Sequence, residues 1–279
     1  MNMKIIFASS VKEYLHKVEG LLLKKEACNN LMLGILDRLV THKADCHLGY
    51  VEEDGEVVYA FMQTPPNNWI LADTDFVNKD IIKAIAAFLH QNKMDVPGVL
   101  GPDINSKVFA KEFGRKIYKN ASVHMNQLIY QLDKVQMEPA ANGNLIHAAG
   151  KDLTLITDWL FQFGQEANEN ISRAQAEQMA AKFIKNQSLH LWTVNGKKVS
   201  MANTSRKTRH GASINAVYTP DQFKRKGYAT SAVAALSQRL LEEGFQFCSL
   251  YTDRKNPTSN GIYQKIGYYE VGTSIVYHF

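Results

Sequence analysis

Residues 214–229 have the sequence Ile-Asn-Ala-Val-Tyr-Thr-Pro-Asp-Gln-Phe-Lys-Arg-Lys-Gly-Tyr-Ala and connect two apolar runs of different period. The first run, 212–219, predicts a β-strand that ends against Pro220, since proline cannot donate to a strand ladder. The second run, 229–243, repeats its apolar residues at helical spacing and stops at Gly244, which predicts a helix. The chain therefore passes from a strand into a helix through a short polar loop, as in α/β domains.

The loop between this strand and this helix carries three successive cations, Lys224, Arg225 and Lys226, followed by Gly227. The first amides of a helix lack intrahelical partners and carry the positive end of the helix dipole, so a loop at this position can bind phosphate groups. Gly227 permits a close backbone approach, and the cations add charge-assisted contacts. The pattern fits a pyrophosphate site, with a solvated basic turn as the alternative interpretation.

A second group of polar residues lies further along the chain. Asn256, Asn260 and Tyr263 stand at positions i, i+4 and i+7 of a predicted helix, so they share one face. The strand 247–252 that precedes them is expected to lie beside strand 212–219, which would place a phenol and two amides at one cleft. Taken separately, Asn256 is also typical of a helix cap and Tyr263 of a packed surface tyrosine.

The rest of the sequence predicts the same order of strands and helices in both halves of the chain. The first half is expected to contain a strand at 4–8, helices within 11–43 broken near residues 28–30, strands within 46–72, a helix at 78–91, a strand at 99–101, a helix at 104–113 and closing strands within 118–131. The second half is expected to contain strands at 144–148, 188–194, 199–206, 212–219 and 247–252, helices at 152–168, 173–186, 229–243 and 257–266, and a closing strand pair through Phe279. We therefore expect an α/β (α+β) fold with two domains, 1–135 and 144–279, joined by a linker at 136–143. Each domain is expected to hold a mixed, mostly antiparallel sheet with helices on both faces.

The composition is that of a globular chain, because 45% of the residues are hydrophobic and 21% are charged, which excludes collagenous and disordered classes. No apolar run approaches the ~20 residues that a membrane-spanning helix needs, and the start of the chain lacks the apolar block of a secretory signal. The three cysteines, Cys28, Cys46 and Cys248, have no C-x-x-C spacing, which argues against a disulfide framework and a zinc site. We expect a cytoplasmic protein with no metal and no membrane partner.

The basic charge of the chain is local. Residues 197–226 contain eight Lys or Arg residues against one acidic residue, Asp221, and so carry +7, whereas the rest of the chain carries −2. Such a segment points to one anionic ligand rather than to a polyanion. Because it lacks interleaved aromatic residues, nucleic-acid binding is the weaker alternative, and we expect no nucleic-acid partner.

Three blocks of the second half resemble the acetyl-CoA-binding core of the GCN5-related N-acetyltransferase (GNAT) superfamily. They are residues 214–220, the string Lys224-x-x-Gly227-x-Ala229, and residues 256–268, Asn-Pro-Thr-Ser-Asn-Gly-Ile-Tyr-Gln-Lys-Ile-Gly-Tyr. The resemblance implies that the chain binds acetyl-CoA through Val217, Tyr218, Thr219, Lys224, Arg225, Lys226, Gly227, Tyr228, Ala229, Thr230, Asn256 and Asn260. Within this set, the strand edge would pair with the pantetheine arm, the loop amides would hold the pyrophosphate, and the two asparagines would line the pantetheine and thiol region. The family usually begins this loop with Gln or Arg where this chain has Lys224.

The resemblance also implies direct acyl transfer, in which a neutral amine attacks the thioester carbonyl. Tyr263 would protonate the departing thiolate, and a backbone N–H such as that of Val217 or Tyr218 would stabilise the oxyanion. Strand 212–219 offers Ser213 and Asn215 where some relatives place a carboxylate, so the identity of the general base stays open.

Three residues and a water chain are the candidates for that base. Glu166 and Glu169 come near the end of helix 152–168, which should border the acceptor side, and His210 stands behind them. The alternative is that both carboxylates are solvated residues at a helix end.

The first half lacks a comparable phosphate loop. Between strand 69–72 and the helix from Asn78, residues 73–77 contribute two carboxylates and no glycine, so anions would be repelled. We therefore interpret residues 1–135 as a degenerate GNAT-like domain that binds no cofactor and helps to shape the acceptor pocket.

The expected function is an N-acetyltransferase that moves an acetyl group from acetyl-CoA to a primary amine of a small molecule or protein. A non-catalytic acyl-CoA-binding sensor is the alternative, because the sequence shows no obvious base.

Overall fold

The computed structural model describes residues 3–75, 78–140, 142–167 and 169–279. Three sequence expectations touch positions outside these ranges: the helix end at Asn168, Ala141 of the expected linker, and Phe76–Val77 of the first-half loop. The chain forms two compact units. The first comprises Met1–Ile129, Thr252–Lys255 and Glu270–Phe279, and the second comprises Tyr130–Tyr251 and Asn256–Tyr269.

The first unit is a sheet covered by helices. In chain order it contains β1 (Met3–Phe7), α1 (Val11–Leu23), α2 (Glu26–Thr41), β2 (His47–Glu53), β3 (Glu56–Gln63), β4 (Trp69–Leu71), α3 (Lys79–Gln91), β5 (Gly98–Gly101), α4 (Asp103–Ile117) and most of β6 (Ser122–Leu132). Strands β1 to β4 pair antiparallel in sequence order, and β5 joins β4 in parallel. Alternate residues of β3 serve opposite faces, since Phe61 packs toward α3 and α4 whereas Met62 packs toward α1 and α2.

The second unit repeats that plan. It contains β7 (Gly143–His147), α5 (Leu153–Glu166), α6 (Arg173–Lys185), β8 (Leu189–Val194), β9 (Lys197–Lys207), β10 (Gly211–Tyr218), α7 (Tyr228–Glu242), β11 (Phe247–Asp253) and α8 (Pro257–Ile266). Strands β7 to β10 pair antiparallel. Strand β11 lies beside β10, as the sequence predicts, and pairs with it in parallel. Leu191 of β8 packs toward α5 and α6, whereas Trp192 packs toward α7. The expected α/β class, with mostly antiparallel sheets and helices on both faces, is therefore confirmed.

The last strand of the chain, β12 (Tyr269–His278), belongs almost entirely to the first unit. It pairs antiparallel with β5, from Ile275 opposite Gly101 to His278 opposite Gly98. The sequence analysis assigned this segment to the domain 144–279. Local sequence patterns cannot identify a partner strand that lies more than 160 residues earlier. The chain end thus completes the sheet that the first half begins.

Three local expectations were wrong. The break between the first two helices falls at Lys24–Lys25 rather than at residues 28–30, where Asn29 is buried within α2. Its amide nitrogen donates to the carbonyl oxygens of Leu22 and Asp73, at 3.0 and 2.9 Å. The closing strands expected within 118–131 are one strand, β6, and the closing pair expected at the chain end is the single strand β12.

No helix in the described ranges is long and apolar enough to cross a bilayer.

A buried histidine lies under α7 in the second unit. The His190 ring is 4% exposed, and its centroid is 4.3 Å from that of His147. Burial, reinforced by His147 and Arg239, lowers the pKa of His190 to about 4. Because the folded protein then binds fewer protons than the unfolded chain, this residue contributes stability above pH ~6.5 that is lost as the pH falls toward 4.

We expect the free energy of unfolding to fall by up to ~3 kcal/mol between pH 7 and pH 4 on account of His190. Urea titrations across this range measure it. His190→Leu should flatten the pH dependence, whereas His16→Gln, on the exposed side of α1, should leave it as steep as in the wild type. An equally steep loss of stability in His190→Leu would contradict the assignment.

Candidate active site

Strands β10 and β11 separate near the middle of β10. Their paired register runs from Gly211–Phe247 to Ile214–Leu250 and ends there, although β10 continues to Tyr218. Beyond Ile214, the edge of β10 that faces β11 is therefore open for a ligand to pair with.

A β-bulge lies at the point of separation. Asn215 is opposite Asn203 and Tyr218 is opposite Met201, so three steps along β10 match two steps along β9. Ala216 takes up the extra residue with a φ of 48°, a conformation that is strained for a side chain with a Cβ atom. The bulge turns the end of β10 away from its earlier register.

The end of β10 is fixed by hydroxyl groups. Ser200 donates to the carbonyl oxygen of Tyr218 at 3.0 Å, and Thr219 donates to the Ser200 hydroxyl at 2.9 Å. The Tyr218 hydroxyl in turn donates to the side-chain oxygen of Gln162 on α5 at 2.8 Å. The strand end is thus held in place from β9 and from α5.

The loop after β10 leads into α7 without any side-chain cap. Gly227 is the N-cap residue, with φ 76° and ψ 8°, and the first turn of α7 holds no acidic residue. A Cβ atom built on Gly227 would have no neighbour within 4 Å, so the approach to the first amides of α7 is open. An uncapped helix start with an open approach fits a phosphate group.

Lys224 is engaged by protein groups. Its ammonium nitrogen lies 2.8 Å from a carboxylate oxygen of Glu166 and 2.7 Å from one of Asp221. Burial alone would lower the pKa of Lys224, but the hydrogen bonds to Asp221 and Glu166 raise it overall. Arg225 and Lys226 make no ion pair with any described residue, so they are the loop cations that remain available to an anion.

The +7 segment is also partly compensated elsewhere. Lys198 pairs with Asp152, and Lys207 lies 3.7 Å from Glu243. Two cations of β9 are thus paired with carboxylates, whereas Arg225 and Lys226 in the loop make no ion pair with a described residue.

Helix α8 places its predicted residues in different surroundings. Asn256 caps the helix, since its side-chain oxygen accepts from the Ser259 amide at 3.1 Å. Tyr263 is 8% exposed and packs against the rings of Tyr268 and Tyr130, with centroids 6.0 and 6.4 Å away. Its hydroxyl donates to no described residue, and burial raises its pKa to about 12. The phenol therefore keeps its proton at neutral pH.

A polar cavity of about 700 Å³ lies between α5 and the end of β10. Its lining residues are Leu155, Asp158, Trp159, Gln162, Gln165, Glu166, Tyr218, Pro220, Asp221 and Gln222. Sequence reasoning missed most of them because they come from one helix face and a distant loop. The helical spacing of Asp158, Gln162 and Glu166 was the available signal.

The candidate bases occupy different places. Glu166 lines the cavity and pairs with Lys224, whereas Glu169 lies outside the cavity lining, where partial burial of its carboxyl group raises its pKa. His210 precedes Gly211, the first residue of β10, and Tyr218 is the last. At ~3.3 Å per residue, His210 is therefore more than 20 Å from the loop along the strand.

The two polar residues of β10 are already hydrogen-bonded. Ser213 contacts the Ser249 hydroxyl at 2.8 Å, and the Asn215 side-chain oxygen accepts from Asn203 at 2.8 Å. Neither side chain is a carboxylate, so β10 does not provide the general base.

The corresponding helix start of the first unit is closed. Asn78 caps α3 by accepting from the Asp80 amide at 2.9 Å, and Asp80 lies in the first turn. Asp73, at the end of the preceding strand segment, pairs with Lys25 at 2.7 Å. The start of α3 thus has carboxylates nearby, whereas the start of α7 has none in its first turn. Carboxylates repel an anion, so the start of α3 is a poor phosphate site.

Comparison with solved structures shows that this chain has the fold of the GCN5-related N-acetyltransferases, the superfamily that its sequence resembles. An acetyltransferase of the GNAT family from Colwellia psychrerythraea is 14% identical, with a TM-score of 0.59, and the match covers 99% of this chain and 98% of that one. A GCN5-related N-acetyltransferase from Sphaerobacter thermophilus is 10% identical, with a TM-score of 0.62 and coverage of 99% and 95%.

The tandem arrangement has a solved counterpart. A tandem GNAT protein from the clavulanic acid biosynthesis pathway, solved without acetyl-CoA, is 11% identical, with a TM-score of 0.57 and coverage of 99% and 98%. Residues 190–276 match the family model described as FR47-like protein, and this range contains β10, the loop, α7 and α8. No curated protein sequence matches the chain.

Proposed function

We propose that the chain is an acetyl-CoA-dependent N-acetyltransferase whose second unit carries the active site. The observation that carries the proposal is the uncapped start of α7, which opens beside the unpaired end of β10. These are the two features that a diphosphate and an amide-bearing arm require. The fold is one that supports acetyl transfer in general.

The residues that would hold acetyl-CoA follow from this geometry. The amides of Arg225 to Thr230 bind the diphosphate, assisted by the side chains of Arg225 and Lys226. The edge of β10 at Val217–Thr219 pairs with the pantetheine arm, and Asn260 borders it from α8. Lys224 already pairs with Glu166 and Asp221, so any contact that it makes with the diphosphate is shared with these two carboxylates. Bound acetyl-CoA supplies the acetyl group as an activated thioester.

The chain's own residues provide proton transfer around that group. Tyr263 holds a neutral phenol that donates to no acceptor among the described residues, so its proton is available to a thiolate. Glu166 is the carboxylate that lines the cavity, and it accepts the amine proton directly or through water. The ion pair with Lys224 fixes its position beside the loop.

The first unit takes a different role in this proposal. Because α3 is capped by Asn78 and preceded by Asp73, residues 1–135 bind no acetyl-CoA. One binding site for each chain is the consequence.

A non-catalytic acyl-CoA sensor is the second candidate, and the engagement of Glu166 by Lys224 favours it. Two measurements on the same protein distinguish these functions. Calorimetry measures acetyl-CoA binding, and the release of the CoA thiol is followed in the presence of a panel of amines. The enzyme predicts saturable binding with turnover, and the sensor predicts binding without turnover. Absence of binding would contradict both.

A further inference from the structure

The cavity between α5 and β10 has an unusual balance of charge. Three carboxylates line it, those of Asp158, Glu166 and Asp221, and no lysine or arginine does. Two cations border these carboxylates from outside the lining, since Lys224 pairs with Glu166 and Asp221, and Arg173 pairs with Asp158. Three negative charges against two positive ones leave this wall negative.

The remaining lining suits a hydrophilic chain with alkyl segments. The side chains of Gln165 and Gln222 make no hydrogen bond to any described residue. The ring centroids of Trp159 and Tyr218 lie 6.3 Å apart in the lining. The Trp159 residue is 5% exposed, and its indole nitrogen donates to no described residue, so it can donate to a ligand. Aromatic faces bind ammonium groups as well as alkyl chains.

The cavity adjoins the proposed acetyl-CoA site through shared residues. Tyr218 contributes its backbone to the open edge of β10 and its ring to the cavity, and Glu166 lines the cavity while it pairs with Lys224 of the loop. An acceptor seated in the cavity would therefore reach the end of β10.

We infer that the acceptor is a small aliphatic diamine or polyamine, in which one amine is acetylated while a second ammonium group is held by Asp158 and Asp221. This inference rests on the proposed function. The reacting amine must lose its charge before it attacks. The negative wall therefore increases the affinity for an acceptor with a second amine that keeps its charge. An acceptor with a carboxylate at that end is repelled by the same wall.

Three acceptors of equal chain length test the charge at the second end. These are 1,4-diaminobutane, 4-amino-1-butanol and 4-aminobutanoate, which end in a cation, a neutral hydroxyl group and an anion. We expect kcat/KM to fall in that order, by about fivefold for the first step, as an exposed ion pair provides. Calorimetric affinity for the protein saturated with CoA should follow the same order. An equal or reversed order would overturn the inference.

Charge-removing variants then locate the contact. Asp158→Asn and Asp221→Asn should each raise KM for 1,4-diaminobutane about threefold and leave KM for 4-amino-1-butanol unchanged. Glu177→Gln on α6 removes an exposed carboxylate outside the cavity and should change neither. Equal effects on both acceptors would contradict the role of the carboxylates.

The same experiments separate this inference from the proposed function. Saturable acetyl-CoA binding without transfer to any of the three amines would overturn the diamine class and leave the cofactor site standing. Absence of acetyl-CoA binding would overturn the proposed function itself.

Discussion

Replacing Gly227 by glutamate is expected to raise the Kd for acetyl-CoA by about 100-fold or more. The new carboxylate would occupy the open approach to the first amides of α7 and oppose the diphosphate. At a separation of a few ångströms near the protein surface this repulsion amounts to ~3 kcal/mol, which corresponds to this factor. The left-handed conformation of Gly227, with φ 76°, adds a strain of ~1–2 kcal/mol to the free and the bound protein alike, so it lowers stability rather than affinity. Isothermal calorimetry with acetyl-CoA measures the change in Kd directly.

A matched control distinguishes the effect of a charge at the proposed phosphate site from the effect of backbone strain. Gly55, in the turn between β2 and β3 of the first unit, has a φ of 93° and likewise no atom within 4 Å of its would-be Cβ atom. Gly55→Glu therefore imposes a similar backbone strain and the same charge in the unit that lacks the basic loop, and its Kd should stay within about twofold of the wild type. Equal weakening in both variants, or wild-type affinity in Gly227→Glu, would contradict the placement of the diphosphate.

Replacing Tyr263 by phenylalanine is expected to lower kcat by about 100-fold while the Kd for acetyl-CoA changes little. Loss of a general acid costs 10²–10⁴-fold in typical cases, and a thiolate leaves readily, so the lower end of that range applies. Because the Tyr263 hydroxyl donates to no described residue, its removal should not destabilise the fold. Single-turnover kinetics and thermal unfolding measure the two effects.

Tyr118→Phe provides the control for this substitution, because that tyrosine is 96% exposed in the first unit. Its kcat should match the wild type. An unchanged single-turnover rate in Tyr263→Phe would remove the phenol from the mechanism. A lower melting temperature together with weaker cofactor binding would instead assign Tyr263 a packing role.

The sequence predicts the elements of this fold well where the cause is local. The strand that ends at Pro220, the helix that ends at Gly244 and the cap of α6 by Ser172 all follow from turn and cap chemistry. The break after α1 does not, because Asn29 stays within α2 through a contact to Asp73, 44 residues away. The pairing of β12 is missed for the same reason, since its partner β5 lies far back in the chain.

The candidate site shows the same division. The open start of α7 is visible in the sequence, because Gly227 and the absence of a capping side chain are local features. The engagement of Lys224 is invisible, because Glu166 comes from a helix 58 residues earlier. The bulge at Ala216 is also unpredicted, since alanine gives no sign of a positive φ.

Hydrogen exchange with and without acetyl-CoA tests the central claim most directly, because it reports on both helix starts of the intact chain at once. The account predicts slower exchange in peptides that cover residues 217–231, at the end of β10 and the start of α7, and unchanged exchange in peptides that cover residues 78–90 of α3. Protection at the start of α3, or saturation with acetyl-CoA without protection of residues 217–231, would contradict it.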